Sequence, residues 1–162
     1  MERVWRLRGW AGIFVSLSSH LIYYKICKSN RFYSAVLWDV YGECKNYNVL
    51  EGHKNAVLQL KWTPENRIIS VSADKTVAVW DANSGRRQRK LIEHTAIVNA
   101  CAISRDLPSM FVTGSDDCTG IVWDTRHKTS VSTLYHDYQV LSVALSSDGI
   151  SAYTGGIDNI IR

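Results

Sequence analysis

Between residues 57 and 62 the chain reads Val-Leu-Gln-Leu-Lys-Trp, so that Leu58, Leu60 and Trp62 alternate with polar or charged side chains. Alternation of this kind sends successive side chains to opposite faces and predicts a half-buried strand with Leu58, Leu60 and Trp62 on one face. Further short runs follow at 68–72, 76–80 and 87–92, and the same succession returns at 98–103, 111–115, 119–123 and 130–134. Thr63-Pro64-Glu65-Asn66 and Ser146-Ser147-Asp148-Gly149 occupy the same place between a first and a second strand, and both have turn chemistry. The pattern predicts an all-β chain with two complete groups of four strands. A partial group precedes them at 35–50, and another follows that stops inside its third strand.

The groups are also registered against one another by residue type. Trp38-Asp39, Trp80-Asp81 and Trp123-Asp124 are spaced 42 and 43 residues apart. His53, His94 and His136 follow at intervals of 41 and 42, each with a valine four residues later. Asp74 and Asp117 lie six residues before their tryptophans, Asp158 continues their series, and a hydroxyl stands four residues before each aspartate, at Ser70, Thr113 and Thr154. Four series in phase at this period mark a chain of repeated supersecondary units.

These residues resemble the WD-repeat family, whose fold is a β-propeller. The resemblance implies that one histidine, hydroxyl, aspartate and tryptophan of each repeat form a buried hydrogen-bond relay. The physical need is general: a buried indole N–H requires an acceptor, and a hydroxyl can accept from it while donating onward. One relay is expected from His53, Ser70, Asp74 and Trp80, and a second from His94, Thr113, Asp117 and Trp123. A third set, His136, Thr154 and Asp158, has no tryptophan, which would fall at position 164. Propellers close with about four to eight blades, so the expected architecture is a propeller fragment of two full and two partial blades that does not close as a ring alone.

The same residue types can build a hydrolase triad. A catalytic set occurs once, whereas this one recurs in each repeat, so a structural use is expected and no enzyme activity. The histidines lie some forty residues apart without second ligands beside them, and the cysteines Cys27, Cys44, Cys101 and Cys118 have no CxxC spacing, which argues against a zinc site. The cysteines are expected to be free thiols. No cofactor is implied.

Charge divides the chain. Residues 1–33 hold six basic side chains and one acidic, and residues 34–162 hold thirteen and fourteen, so the net charge of +4 belongs to the head. No basic face that would suit a nucleic acid is visible in the repeats. Arg86, Arg87, Arg89 and Lys90 cluster on an outermost strand, where charge protects an exposed edge from pairing. Upstream, Phe32 and Lys28 stand where the repeat would require an aspartate and a hydroxyl. Residues 1–33 are therefore set apart from the repeat region 34–162, as a divergent or wrongly joined segment. The alternative is a targeting signal with Arg3, Arg6 and Arg8 before an apolar stretch from Trp10 to Leu17, although no uninterrupted membrane span is present.

Particular stretches narrow the resemblance. Val40-Tyr41-Gly42-Glu43-Cys44, the run from Ala73 to Asp81, Tyr138-Gln139-Val140-Leu141-Ser142-Val143 and Gly155-Gly156-Ile157-Asp158-Asn159 resemble WD-repeat subunits of spliceosomal U5 ribonucleoprotein particles. That resemblance implies a nuclear scaffold for large U5 proteins in pre-mRNA splicing, in contact with RNA only through the complex. It implies neither a membrane nor a small-molecule substrate. Trp123-Asp124-Thr125-Arg126 instead resembles the box of substrate receptors in cullin-type ubiquitin ligases, with Arg126 as a possible adaptor contact; the other use for that arginine is pairing with a neighbouring acid. A truncated product without stable function is the third alternative.

Overall fold

The computed structural model describes the backbone of residues 12–17, 20–25, 33–38, 46–158 and 160–162, and the side chains of residues 34–37, 48–158 and 160–162. Among them every regular element is a strand, and no helix is long and apolar enough to cross a membrane. Gly12–Leu17 (β1) pairs antiparallel with His20–Lys25 (β2), and Tyr33–Trp38 (β3) with Asn46–His53 (β4). Val57–Trp62, Arg67–Ser72, Val77–Asp81 and Arg87–Leu91 (β5 to β8) form a four-stranded meander. Val98–Ile103, Met110–Ser115, Thr119–Asp124 and Ser132–Tyr135 (β9 to β12) form a second. Val140–Leu145 (β13) pairs with Ala152–Gly156 (β14), beside which Gly155 bridges to Ile161. The chain is thus an all-β propeller fragment, with its strands within a residue or two of where alternation and turns put them.

The sheets stack in series, and that stacking makes the core. Ile68 and Trp80 face β3 and β4, packing with Leu37, Leu50 and Leu60. From the opposite face of the same sheet, Ile69, Val71, Val77 and Val79 meet Val98, Phe111 and Trp123 of the next. A sheet covered on both faces loses the simple in–out alternation. β6 is accordingly buried from Ile68 to Ser72, with Ser70 and Ser72 among the apolar side chains. Phe111 stacks on Trp123 with ring centroids 6.1 Å apart, within the range for favourable offset aromatic pairs.

The single face expected for Leu58, Leu60 and Trp62 does not form as such. The register shifts between Val57 and Gln59, so that Leu58 sits at a bulge, Val57 and Leu60 are the buried pair, and Leu58 and Trp62 are half-buried. An extra residue in one strand breaks the period of two. The turns show more regularity than the strands: Asn66 (φ 58°) and Gly149 (φ 74°) hold the same left-handed position in two repeats, and Lys75 (φ 70°) and Cys118 (φ 63°) each follow the aspartate of their set.

The head reads differently as backbone than as a repeat pattern. There β1 and β2 pair antiparallel over Gly12–Leu17 and His20–Lys25, and β2 runs beside β3. Residues 1–11, 18–19, 26–32, 39–45 and 159, among them Cys27, Lys28, Phe32, Cys44 and the arginines at 3, 6 and 8, fall outside the described residues.

Candidate functional site

In the first full sheet, His53 at the end of β4 places Nδ1 3.0 Å from Asp74 Oδ2 and Nε2 2.7 Å from Ser70 Oγ. Trp80 on β7 donates its indole N–H to the same hydroxyl at 2.7 Å. The next sheet repeats the arrangement: His94 Nδ1 is 2.9 Å from Asp117 Oδ2, His94 Nε2 is 2.8 Å from Thr113 Oγ1, and Trp123 donates to Thr113 Oγ1 at 2.8 Å. His94 is buried, and that burial pushes its pKa down against the opposing pull of Asp117. A neutral His94 with its proton on Nδ1 lets every group act once in each role, from the Trp123 N–H through the Thr113 hydroxyl and the imidazole to the Asp117 carboxylate.

Residues that the spacing argument did not single out complete these sets. Burial alone would push the Asp74 carboxyl up, but hydrogen bonds from His53, Thr76 and the Lys54 backbone outweigh it and hold the group well below the usual carboxylate range. At Asp117 burial is likewise overcome by Thr119, the Thr95 N–H and His94. Thr76 and Thr119 bind the second carboxylate oxygen of each aspartate through both hydroxyl and N–H. Ser72 and Ser115 receive the aspartate's own N–H and donate to carbonyls of the preceding loop, at Ala56 and Ile97. The signal was in the sequence: both hydroxyls lie two residues from the aspartate, one on each side, in both repeats.

The third set comes together only in part. Thr154 Oγ1 is 3.2 Å from His136 Nε2. Asp158 instead takes Arg162, at 2.5 Å, and the Ile160 N–H. The helper positions explain the difference, because Gly156 and Ile160 stand where the other repeats carry serine and threonine. No hydroxyl on either side orients the Asp158 carboxylate toward its histidine.

In the two complete sets the hydroxyls are enclosed. Ser70 and Thr113 are fully buried, and their hydroxyls are committed between an indole and an imidazole. Among the described residues no cluster of histidine, cysteine, aspartate or glutamate could hold a metal ion. Cys101 and Cys118 are free; the Cys101 thiol is buried and pushed up to about 12, which leaves it inert as a nucleophile. Arg126 forks its Nε and Nη2 onto Asp124, with Nη2 at 2.7 Å, while 71% of its side chain is exposed.

The basic strand does more than guard an edge. Arg87 reaches back to the Gly52 carbonyl and lies over the Trp80 ring, and Arg89 reaches forward to the His127 carbonyl in the next sheet. Each guanidinium therefore ties its sheet to a neighbour, which the linear pattern could not show because the partners lie 35 and 38 residues away.

Repeated four-stranded meanders, stacked face to face and each holding an aspartate, a histidine, a hydroxyl and a tryptophan in hydrogen-bond contact, define a repeat protein of the propeller class. The chain belongs to the WD-repeat family: residues 44–81, 85–124 and 128–162 match the WD domain, G-beta repeat. Among its relatives are the U5 small nuclear ribonucleoprotein 40 kDa protein of Dictyostelium discoideum, 42% identical over 84% of this chain and 41% of that protein, and the pre-mRNA-splicing factor cwf17 of Schizosaccharomyces pombe, 38% identical over 78% and 38%. The human U5 small nuclear ribonucleoprotein 40 kDa protein is 44% identical over 75% of this chain and 34% of its own length. The chain thus spans about two fifths or less of the relatives it matches.

Proposed function

We propose that this chain is a non-catalytic scaffold subunit acting in the nucleus, where it helps hold large protein subunits of the spliceosomal U5 particle together during pre-mRNA splicing. RNA is reached through the complex, and no cofactor, membrane or small-molecule substrate is involved. The likeness to the Dictyostelium U5 40 kDa protein over 84% of the chain carries this reading. The geometry supports it, because the residue types that could have done chemistry are spent on internal hydrogen bonds in two successive repeats. In this reading the two complete sets lock the turn after β6 or β10 to the loop entering the sheet, and the third is an unfinished version of the same lock. Residues 34–162 are the repeat region, and residues 1–33 a divergent segment before it.

Capture of the tagged full chain from nuclear extract tests the proposal. U5 RNA and large U5 proteins should be enriched over those of other small nuclear particles, and Arg126→Ala should leave the enrichment unchanged. The second reading, a substrate receptor of a cullin-type ligase, rests on the Trp123-Asp124-Thr125-Arg126 box and on the exposure of Arg126. Recovery of a cullin adaptor without U5 RNA, abolished by Arg126→Ala, would put that reading in place of ours.

A further inference from the structure

The outer edges of the two complete sheets differ in a way that edge protection does not explain. β8 carries Arg87, Arg89 and Lys90 with Arg86 just before it, whereas β12, equally the last strand of its sheet, reads Ser-Thr-Leu-Tyr and has no charge at all. If the charge served only to prevent pairing, both edges would need it. The seam between the sheets adds to the contrast. Arg89 holds the His127 carbonyl at 2.5 Å, and Glu93 accepts the Ser130 N–H at 3.0 Å. These two bonds bring the turn after β11, with exposed Arg126 and Lys128, against the basic strand. Two clusters some forty residues apart in sequence thereby become one surface.

Four carboxylates near this surface are already engaged, among them Glu65, which pairs with Arg67 at 3.1 Å. Asp81 accepts the Asn83 N–H and the Ser84 hydroxyl, Asp124 is held by Arg126, and Glu93 spans the seam. Beside the cations two aliphatic side chains are left in solvent, Ile92 at 66% and Val131 at 55% exposure. β8 bonds to β7 alone among the described residues, so its outer backbone groups face away from the sheet.

From this we infer that the seam between β8 and the β11–β12 turn binds an acidic, extended segment of a partner protein, added as a further strand along β8. Backbone pairing supplies the affinity common to strand addition, and side chains on alternate sides supply the selectivity. The register of β8 suits alternating carboxylates: Arg87 and Lys90 lie opposite Trp80 and Ala78 on one face, and Arg89 lies opposite Val79 on the other, each guanidinium offering the N–H groups not spent on Gly52 or His127. Opposite charges directly across a strand pair are favourable. An aliphatic residue of the segment would cover Ile92 and Val131. A nucleic acid fits less well, because single strands are held by aromatic platforms as well as cations and the two apolar groups beside these cations, Ile92 and Val131, are aliphatic. The inference stands whichever assembly holds the chain.

The test titrates the purified full chain with a short fluorescent peptide alternating glutamate and valine. The same peptide with lysine for glutamate and an oligouridylate serve as comparisons. The glutamate peptide should bind and slow deuterium exchange of β8 amides, while Arg86→Glu/Lys90→Glu/Lys128→Glu should weaken it at least about tenfold with circular dichroism unchanged. Ile92→Ser, which leaves every charge in place, should weaken it less. Equal affinity in the charge-reversed variant, tighter binding of oligouridylate, or binding without slower β8 exchange would each overturn the inference. None of these outcomes depends on capture of U5 components.

Discussion

Thr113 Oγ1 stands 2.8 Å from both Trp123 Nε1 and His94 Nε2, and the consequence of such an arrangement is that no member can be removed without leaving a buried group unpaired. Orphaning a buried donor or acceptor costs about 1–3 kcal/mol. Asp74→Ala strands two buried partners at once, the His53 Nδ1 and the Thr76 hydroxyl, so it should fall at the upper end of that range in urea unfolding, while Lys54→Ala should stay within about 0.5 kcal/mol of the parent. Asp158→Ala is the informative partner experiment. All three aspartates stand four residues after a hydroxyl, yet Asp158 pairs with Arg162 and not with His136, so its loss should be clearly milder than that of Asp74. Equal costs for the two would contradict the difference drawn between the sets.

Acid sensitivity follows from the same residues. His94 has its pKa depressed by burial, so the unfolded chain binds more protons than the folded one once pH falls below the ordinary histidine value of about 6.5. Stability is therefore full above that pH and declines as pH falls through the window down to the folded value. Asp74 and Asp117 are also held low, and their contribution is present above the ordinary carboxylate value of about 3.9 and lost as pH falls toward their folded values. Thermal melts across pH should show a first decline beginning near 6.5 and a steeper one below about 4. A His94→Gln chain, whatever its base stability, should lack the first.

At the scale of the element, strand positions were legible because alternation and turn residues agree, as in β5, β7 and β9. Burial was less legible. β6 is buried on both faces because two neighbouring sheets cover it, and a pattern of one residue type against the next does not count neighbours. Nor does it reveal the bulge at Leu58, which is a property of pairing. The turns supply a prediction of their own. Cys118 holds φ 63° without being a glycine, a conformation that costs an L-residue roughly 1–2 kcal/mol. Part of any gain from glycine is returned as unfolded-chain entropy, so Cys118→Gly should stabilise by a few tenths to about 1 kcal/mol in chemical denaturation. Packing between sheets gives the opposite sign. A Cβ on Gly114 would stand 2.6 Å from Val140 Cγ1 and 2.8 Å from Val143 Cγ1, so Gly114→Ala should cost about 1–3 kcal/mol. The loss should appear first as faster amide exchange in β13 and β14.

Across the whole molecule, what the sequence made plain was whatever recurs: the tryptophans, the relay residues and the period that joins them. What it concealed was whatever happens once. Arg87 and Arg89 read as a charged edge, yet each fastens one sheet to another, and Arg126 joins them through the Arg89–His127 and Glu93–Ser130 contacts. Bonds between neighbouring repeats have no periodic signature unless every repeat makes them. In a molecule built this way, stability is carried by individual sheets and by the faces between neighbours, and the best-protected amides should lie where both faces are covered and a complete set is present. Hydrogen exchange on the full chain, resolved by residue, tests that most directly. The account predicts slowest exchange in β6, β7, β10 and β11, intermediate exchange in β5 and β9, and faster exchange in β12, β13 and β14. Uniform protection from β5 to β14, or slowest exchange in strands outside the two complete sheets, would contradict it.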